Sequence, residues 1–319
     1  MKKLLLVIFG MLLCLASCNG GSQMKGPKST GKLMTSVIGK SADDWLHQAE
    51  RYWNGFDYTD SQTLGDTVRL ARAFFDWVLL LGNLPQQEFV PLMARFIRDG
   101  NEAPQMQLRL LELGESILND PNSPYRNEEL YIPMLEAIIG APNIKEEYKE
   151  RPRFQLALAL KNRRFTKATD FTYITNKGEK GRLSELAKTL KARDRGGSRA
   201  LPCHCILLYF NNPECHDCSR VNGYLSASKV IKERLSNGTL TLLAIYPDES
   251  LRAWHRHRSE YPSSWIAARY GSPRERKAYN LPAIPCLYLL NTDMMVLLKD
   301  EPVERIEDYL RIHTITIVR

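Results

Sequence analysis

Between Asn19 and Pro202 the sequence contains no cysteine, and beyond Leu15 it holds no apolar run long enough to cross a bilayer. The first absence excludes a scaffold stapled by disulfides, whose bridges would be spread over the whole chain. The second predicts that everything after the start of the chain is soluble. A one-signed charge stripe is lacking too: the 44 basic and 36 acidic residues, formally +8, are intermixed, so no nucleic-acid partner is expected. What is present, 44% hydrophobic and 25% charged residues over 319 positions, is ordinary globular composition with room for two domains of roughly 130 to 150 residues.

The start of the chain reads as a targeting segment. Lys2 and Lys3 precede an apolar run, Leu4 to Leu15, that ends in Leu15-Ala16-Ser17-Cys18. Small residues before a cysteine at that place resemble the lipobox of bacterial lipoproteins, which implies residues 1–18 as a signal peptide and Cys18 as the lipidated residue. An ordinary cleaved signal peptide is the alternative. Residues 19–40, rich in Gly, Ser, Lys and Pro at their start, read as a flexible tether. The expected location is the cell envelope of a Gram-negative bacterium, lipid-anchored and facing the periplasm.

From residue 41 to 163 the pattern is helical. Apolar residues recur every three or four positions in Val68, Ala71, Phe75, Val78 and Leu79, in Phe89, Leu92, Met93, Phe96 and Ile97, and in Leu108, Leu111, Ile117 and Leu118. Turn-forming breaks follow at Gly82-Asn83-Leu84-Pro85, Asp99-Gly100-Asn101, Asn119 to Pro124 and Gly140 to Asn143. This predicts five or six helices of 12 to 20 residues, opened by Ser41-Ala42-Asp43-Asp44. The aromatics Trp45, Tyr52, Trp53, Phe56 and Tyr58 are expected to pack the core.

The style changes near Thr166. Asp170 to Thr175 alternates as a strand, Asn176-Lys177-Gly178-Glu179 is a hairpin turn, and Cys205 to Phe210 is a continuous apolar run of the kind a central strand shows when covered on both faces. Further strands are expected over Thr239 to Tyr246, Cys286 to Leu290 and Met294 to Lys299. Helices are expected from the Cys215 motif to Leu235, around Leu251 to His257, near Trp265 to Tyr270 and over Val303 to Leu310. Residues 166–319 thus read as an α/β domain with a covered sheet.

Five cysteines follow the presumed anchor: Cys203, Cys205, Cys215, Cys218 and Cys286. In Cys215-His216-Asp217-Cys218 at a helix start, exposed backbone amides and the positive dipole end would stabilise a thiolate at Cys215. It would attack a substrate disulfide, and Cys218, one turn on, would resolve the mixed disulfide. Protonated His216 would lower the thiol's pKa and Asp217 would oppose it. The spacing also supplies half of many zinc sites, for which Cys203, Cys205, His204 and His216 are the candidate further ligands. Strand alternation puts His204 on the face opposite the two cysteines, and no metal or cofactor is called for. The basic stretch Arg252 to Arg258 reads as a solvated helix face.

Asp170-Phe171, Gly181 to Leu186, Leu207 to Phe210, Pro213 to Cys218 and Ala283-Ile284-Pro285 together resemble the extracytoplasmic thioredoxin-like proteins of the TlpA and ResA types. The resemblance covers residues 166–319 and implies a thioredoxin-like α/β sandwich with a central mixed sheet. It also implies Pro285 as the cis-proline facing the disulfide and Ile284 as a backbone binder of substrate. The helical half, through Tyr52 to Asp57 and Asp120 to Tyr131, resembles an uncharacterised domain that accompanies such domains in anchored lipoproteins. The pattern departs from the family at Glu214 in place of tryptophan, His216-Asp217 in place of Gly-Pro, Cys286 in place of threonine and Tyr209 in place of a buried acid. The lost acid implies inefficient proton transfer to Cys218.

The function expected is a thiol–disulfide oxidoreductase acting on exported proteins with disulfides or thiols and recharged by an electron donor of the membrane or periplasm. The alternative is a non-catalytic interaction lipoprotein with a structural or redox-sensing cysteine pair.

Overall fold

The computed structural model describes residues 42–196 and 204–315. Cys14, Cys18, the lipobox, the tether, Ser41 and Cys203 lie outside the described residues. Contacts divide the chain into two units, meeting between Ala159 and Leu160.

The first unit is helical: α1 (Ala42–Arg51), α2 (Ser61–Gly65), α3 (Thr67–Leu81), α4 (Gln86–Arg98), α5 (Pro104–Gly114), a π-helical turn (Glu115–Asn119), α6 (Glu128–Gly140) and α7 (Glu150–Ala159). There are more and shorter helices than the spacing predicts, in part because side-chain caps start helices that the apolar period does not mark. Asp60 accepts from the amides of Gln62 and Thr63 to open the five-residue α2, and Asp66 does so for α3. The apolar spacing finds the inner face of α4, where Phe89, Leu92, Met93, Phe96 and Ile97 are all buried, but not that of α3, where Val68 and Leu79 are exposed and Phe74 and Trp77 are the buried aromatics. Leu110, Leu118, Tyr131 and Leu135 join the same core. Trp53 stacks on Phe96 with ring centres 4.5 Å apart, the Tyr58 hydroxyl donates to the Phe96 carbonyl at 3.0 Å, and the Trp77 indole donates to Ala49 O at 3.0 Å. The aromatics are therefore core, as their number in so small a unit predicts.

The second unit is built on one seven-stranded sheet. Its elements are β1 (Thr172–Thr175), β2 (Lys180–Arg182), α8 (Leu183–Gly196), β3 (Cys205–Phe210), α9 (His216–Ala227), α10 (Lys229–Ser236), β4 (Leu240–Tyr246), α11 (Arg252–His257), β5 (Ile266–Tyr270), β6 (Cys286–Asn291), β7 (Val296–Lys299) and α12 (Val303–Ile315). The strand order is β2-β1-β5-β4-β3-β6-β7, with β3, β4 and β5 parallel to one another and the remaining pairs antiparallel, so the sheet is mixed. The hairpin turn between β1 and β2 is closed by Gly178 at φ +88, a conformation a side chain strains to adopt.

β3 is buried along its whole length, as its apolar run predicts. Ile206, Leu208 and Phe210 face Phe171, Leu183, Ala187 and Leu190; Cys205, Leu207 and Tyr209 face Val221 and Leu225 of α9, Ile231 of α10 and Ile306 and Leu310 of α12. Alternation along one strand thus supplies both halves of the core.

One expectation is overturned. Trp265 to Tyr270 is not helical: Ile266–Tyr270 is β5, inserted between β4, with Ala244 opposite Ala267, and β1, with Tyr173 opposite Tyr270. Two adjacent alanines raise helix propensity, but each fits a site on a crowded sheet face where ladder hydrogen bonds on both sides outweigh that preference.

Candidate functional site

The site lies where β3 gives way to α9. After Phe210 the chain leaves the sheet through Asn211, whose buried amide donates to Tyr209 O at 3.0 Å and whose side-chain oxygen accepts from the Tyr261 hydroxyl at 2.7 Å. Asn212 makes the turn: its side-chain oxygen accepts from the Glu214 amide at 2.8 Å, its carbonyl accepts from the Cys215 amide at 3.0 Å, and its side-chain nitrogen donates to Asp248 at 2.6 Å. Two asparagines therefore fix the backbone that presents Cys215.

Cys215 is the N-cap of α9, with extended backbone angles (φ −87, ψ 127). Its sulfur accepts from the Cys218 amide at 3.4 Å, so a free amide of the first turn points at it, in the electrostatic setting that favours negative charge. The sulfur is half-buried and also lies 3.7 Å from the carbonyl oxygen of Ile284. The Ile284–Pro285 peptide is cis. Residues 69 positions apart in sequence are thus brought together at the sulfur.

Cys218 is fully buried against the face that carries Tyr209. Burial pushes its thiol up to about 12, with Cys215 and Asp217 adding to the rise and a hydrogen bond from the Asn212 backbone pulling back. Both cysteines are thiols in this structure. Tyr209, where the resemblance implies a lost acid, donates its hydroxyl to the Cys218 carbonyl at 3.0 Å. Burial, with Cys218 next among the causes, raises the phenols of Tyr209 and Tyr261 well above the ordinary tyrosine range, so neutral hydroxyls line the inner side of the pair.

His216 and Asp217 are exposed on the first turn of α9. Cys286 begins β6 on the opposite sheet face, in the cluster with Phe210, Tyr270 and Tyr288. Of the candidate metal ligands, Cys203 lies outside the described residues; among the described residues no three His, Cys, Asp or Glu side chains converge, and the His204 ring hydrogen-bonds the Thr241 hydroxyl at 2.8 Å.

Glu214 and the basic stretch Arg252 to Arg258, neither of them given a role at the site from sequence, complete the rim. Glu214, directly before Cys215, accepts from the Arg256 guanidinium at 2.7 Å and lies 3.6 Å from the His257 ring, which also meets Glu260 at 2.9 Å. The stretch read as a plain solvated helix face is half anchored, since Ala253 and Trp254 are buried, while Arg256 reaches the motif. The signal available in the sequence was the acid in place of tryptophan at 214, matched by the basic run of α11.

Comparison with known proteins adds a family. A model for a domain of unknown function (DUF5106) matches residues 36–162. No curated protein matches. Among solved structures, a thioredoxin-like protein from Bacteroides caccae is 32% identical over 92% of this chain and all of its own length, with a TM-score of 0.79. The C-terminal domain of an uncharacterised protein from Bacteroides fragilis is 36% identical over 47% of this chain and 99% of its own (TM-score 0.40). The thioredoxin domain of a thiol-disulfide oxidoreductase from Bacteroides vulgatus is 15% identical over 47% and 97% (TM-score 0.37). The near-complete match at 32% identity, on the mixed sheet already described, places the chain in the family of thioredoxin-like proteins that carry a helical N-terminal domain.

Proposed function

We propose that the chain is a thiol–disulfide oxidoreductase that exchanges disulfides with exported proteins while held in the cell envelope by lipid on Cys18. The observation that carries this reading is the placement of one sulfur. Cys215 caps a helix, accepts an amide hydrogen bond at 3.4 Å and sits 3.7 Å from Ile284 O beside Pro285, while Cys218 waits one turn behind it.

In the reducing direction the Cys215 thiolate attacks one sulfur of a substrate disulfide. An S–S bond forms between enzyme and substrate, the substrate's own S–S bond breaks, and the departing thiolate takes up a proton. Cys218 then gives up its proton and attacks the Cys215 sulfur, releasing the second substrate thiol and closing the Cys215–Cys218 bond. Two electrons have passed to the substrate, and an external dithiol must return them. The oxidising direction runs the same steps backwards. Ile284 offers backbone groups to an extended substrate segment, and His216 and Asp217 tune the charge beside the attacking sulfur.

The slow step in this scheme is loss of the proton from Cys218, whose thiol is held neutral by burial and is lined by phenols rather than a carboxylate. Insulin disulfide reduction with an excess of dithiol tests the reading: activity that disappears in Cys215→Ser supports it. A wild-type protein that reduces no disulfide, yet binds the same exported partners with both cysteines replaced, leaves the interaction-module reading in its place.

A further inference from the structure

The segment between β4 and β6 is far more basic than the rest of the chain. Residues 247–285 hold seven arginines and lysines against four acids. All four acids are engaged: Asp248 accepts from the Asn212 side chain at 2.6 Å, Glu249 lies 3.7 Å from Arg276, Glu260 meets the His257 ring at 2.9 Å, and Glu275 accepts from the Thr172 amide at 2.7 Å and the Ser272 amide at 3.0 Å. Arg276 is thus offset from within the segment, whereas Arg256 pairs outside it, with Glu214.

Part of this charge stands at the redox centre. Arg256 bonds Glu214, the residue before Cys215, and Arg252 lies one turn away at i−4 on the same side of α11. Arg252, Arg256 and Arg258 are all exposed, and Arg252 and Arg258 meet no acidic partner among the described residues. Meanwhile the one acid preceding the exchange sulfur has its charge offset by Arg256 and, when that ring is protonated, by His257.

We infer that this rim selects protein partners whose reacting cysteines are flanked by acidic residues. The inference rests on the thiol–disulfide reading of Cys215 and names the partner chemistry of that same site. A carboxylate entering beside the substrate sulfur meets Arg252 and Arg258 unpaired, and competes with Glu214 for Arg256. A lysine in the same place meets like charge. Guanidinium groups suit this role because they present a planar fork that matches carboxylates. A protein partner is favoured over an anionic membrane surface because Arg256 adjoins the sulfur through Glu214.

The test uses the full chain and two disulfide-bonded peptides that differ only in having glutamates or lysines beside the cysteine. The acidic peptide is expected to react about tenfold faster at low ionic strength, with the advantage fading in 0.5 M salt as screening shortens to about 4 Å. Arg252→Glu/Arg256→Glu/Arg258→Glu should reverse the preference, and Arg256→Lys should keep part of it. Noncovalent binding of the same peptides to Cys215→Ser separates the two ideas. A binding preference for glutamate with no exchange of either peptide sinks the redox reading and keeps the charge rule. Equal binding and equal exchange of both peptides overturns the inference, as does a preference unchanged in the triple variant. Phosphatidylglycerol vesicles that bind through the three arginines while the peptides are not distinguished would overturn it in favour of a membrane surface.

Discussion

The hydroxyl of Tyr209 donates to the backbone carbonyl of Cys218 across 3.0 Å, so a neutral group on the central strand holds the first turn of the helix that carries the cysteine pair. The contact ties β3 to α9 at the point where the chemistry is placed. A buried carboxylate at 209 would supply a base for Cys218; a phenol raised by burial supplies a hydrogen bond only.

Removing that hydroxyl has a measurable cost. Tyr209→Phe keeps the ring and its packing on Trp265 but leaves the carbonyl short of a donor, which costs about 1 kcal/mol of folding stability. Chemical denaturation of the two proteins checks it; a difference near zero contradicts the role given to the hydroxyl.

The two thiols should differ sharply in reactivity. Cys218 carries a pKa raised from 9.0 to about 12, so near pH 8 its thiolate fraction is lower by about a thousandfold than that of an ordinary cysteine. Alkylation with iodoacetamide, read site by site in a mass spectrometer, should label Cys215 well before Cys218 in the folded protein and both equally in denaturant. Equal rates in the folded protein contradict the burial argument.

The same shift predicts a pH dependence of stability. The raised group is neutral in both states below its unfolded pKa, where its contribution is complete; as pH rises from about 9 towards 12 the unfolded chain ionises first and the folded state loses that advantage. Between pH 9 and 11 the melting temperature of the wild type should therefore fall more steeply than that of Cys218→Ala. Parallel curves would contradict it.

Much of this was legible in the sequence, and the limits have physical causes. The apolar period found the inner face of α4, because burial of one helical stripe imposes that period whatever the tertiary fold; on α3, apolar on nearly every side, the stripe was misplaced, with Val68 and Leu79 exposed and Phe74 and Trp77 buried. The β1–β2 hairpin was readable from Asn176 to Glu179, since Gly178 supplies the positive φ that the turn needs. Helix boundaries were not: α2 exists because Asp60 caps it, a local hydrogen bond without periodicity. β5 was misread because Ala267 and Ala268 favour a helix locally, and only the neighbouring strands decide otherwise. At the site, Cys215, Cys218, Ile284 and Pro285 were readable as a pattern. The link from Glu214 to Arg256 spans 42 residues and needs the fold to bring it about.

In the helical unit, Phe96 and Trp53 each pack against four other aromatic rings, and Phe96 is the more buried of the two. It contacts Trp53, Phe74, Trp77 and Tyr58, and it is almost fully buried. Phe96→Ala should destabilise this unit by about 3 to 5 kcal/mol, the range for an emptied aromatic site. Thermal or denaturant unfolding followed by tryptophan fluorescence reads the loss; a change below 1 kcal/mol would show that the cluster is loosely packed.

The measurement that bears most directly on the exchange chemistry is covalent capture by Cys218→Ser in cells that export the protein. With the resolving thiol gone, Cys215 should retain its partners as mixed disulfides that run as high-mass bands, vanish on reduction, and are absent from Cys215→Ser/Cys218→Ser. If the single variant yields no such adducts although it folds and is present at the level of the wild type, Cys215 is not an exchange sulfur.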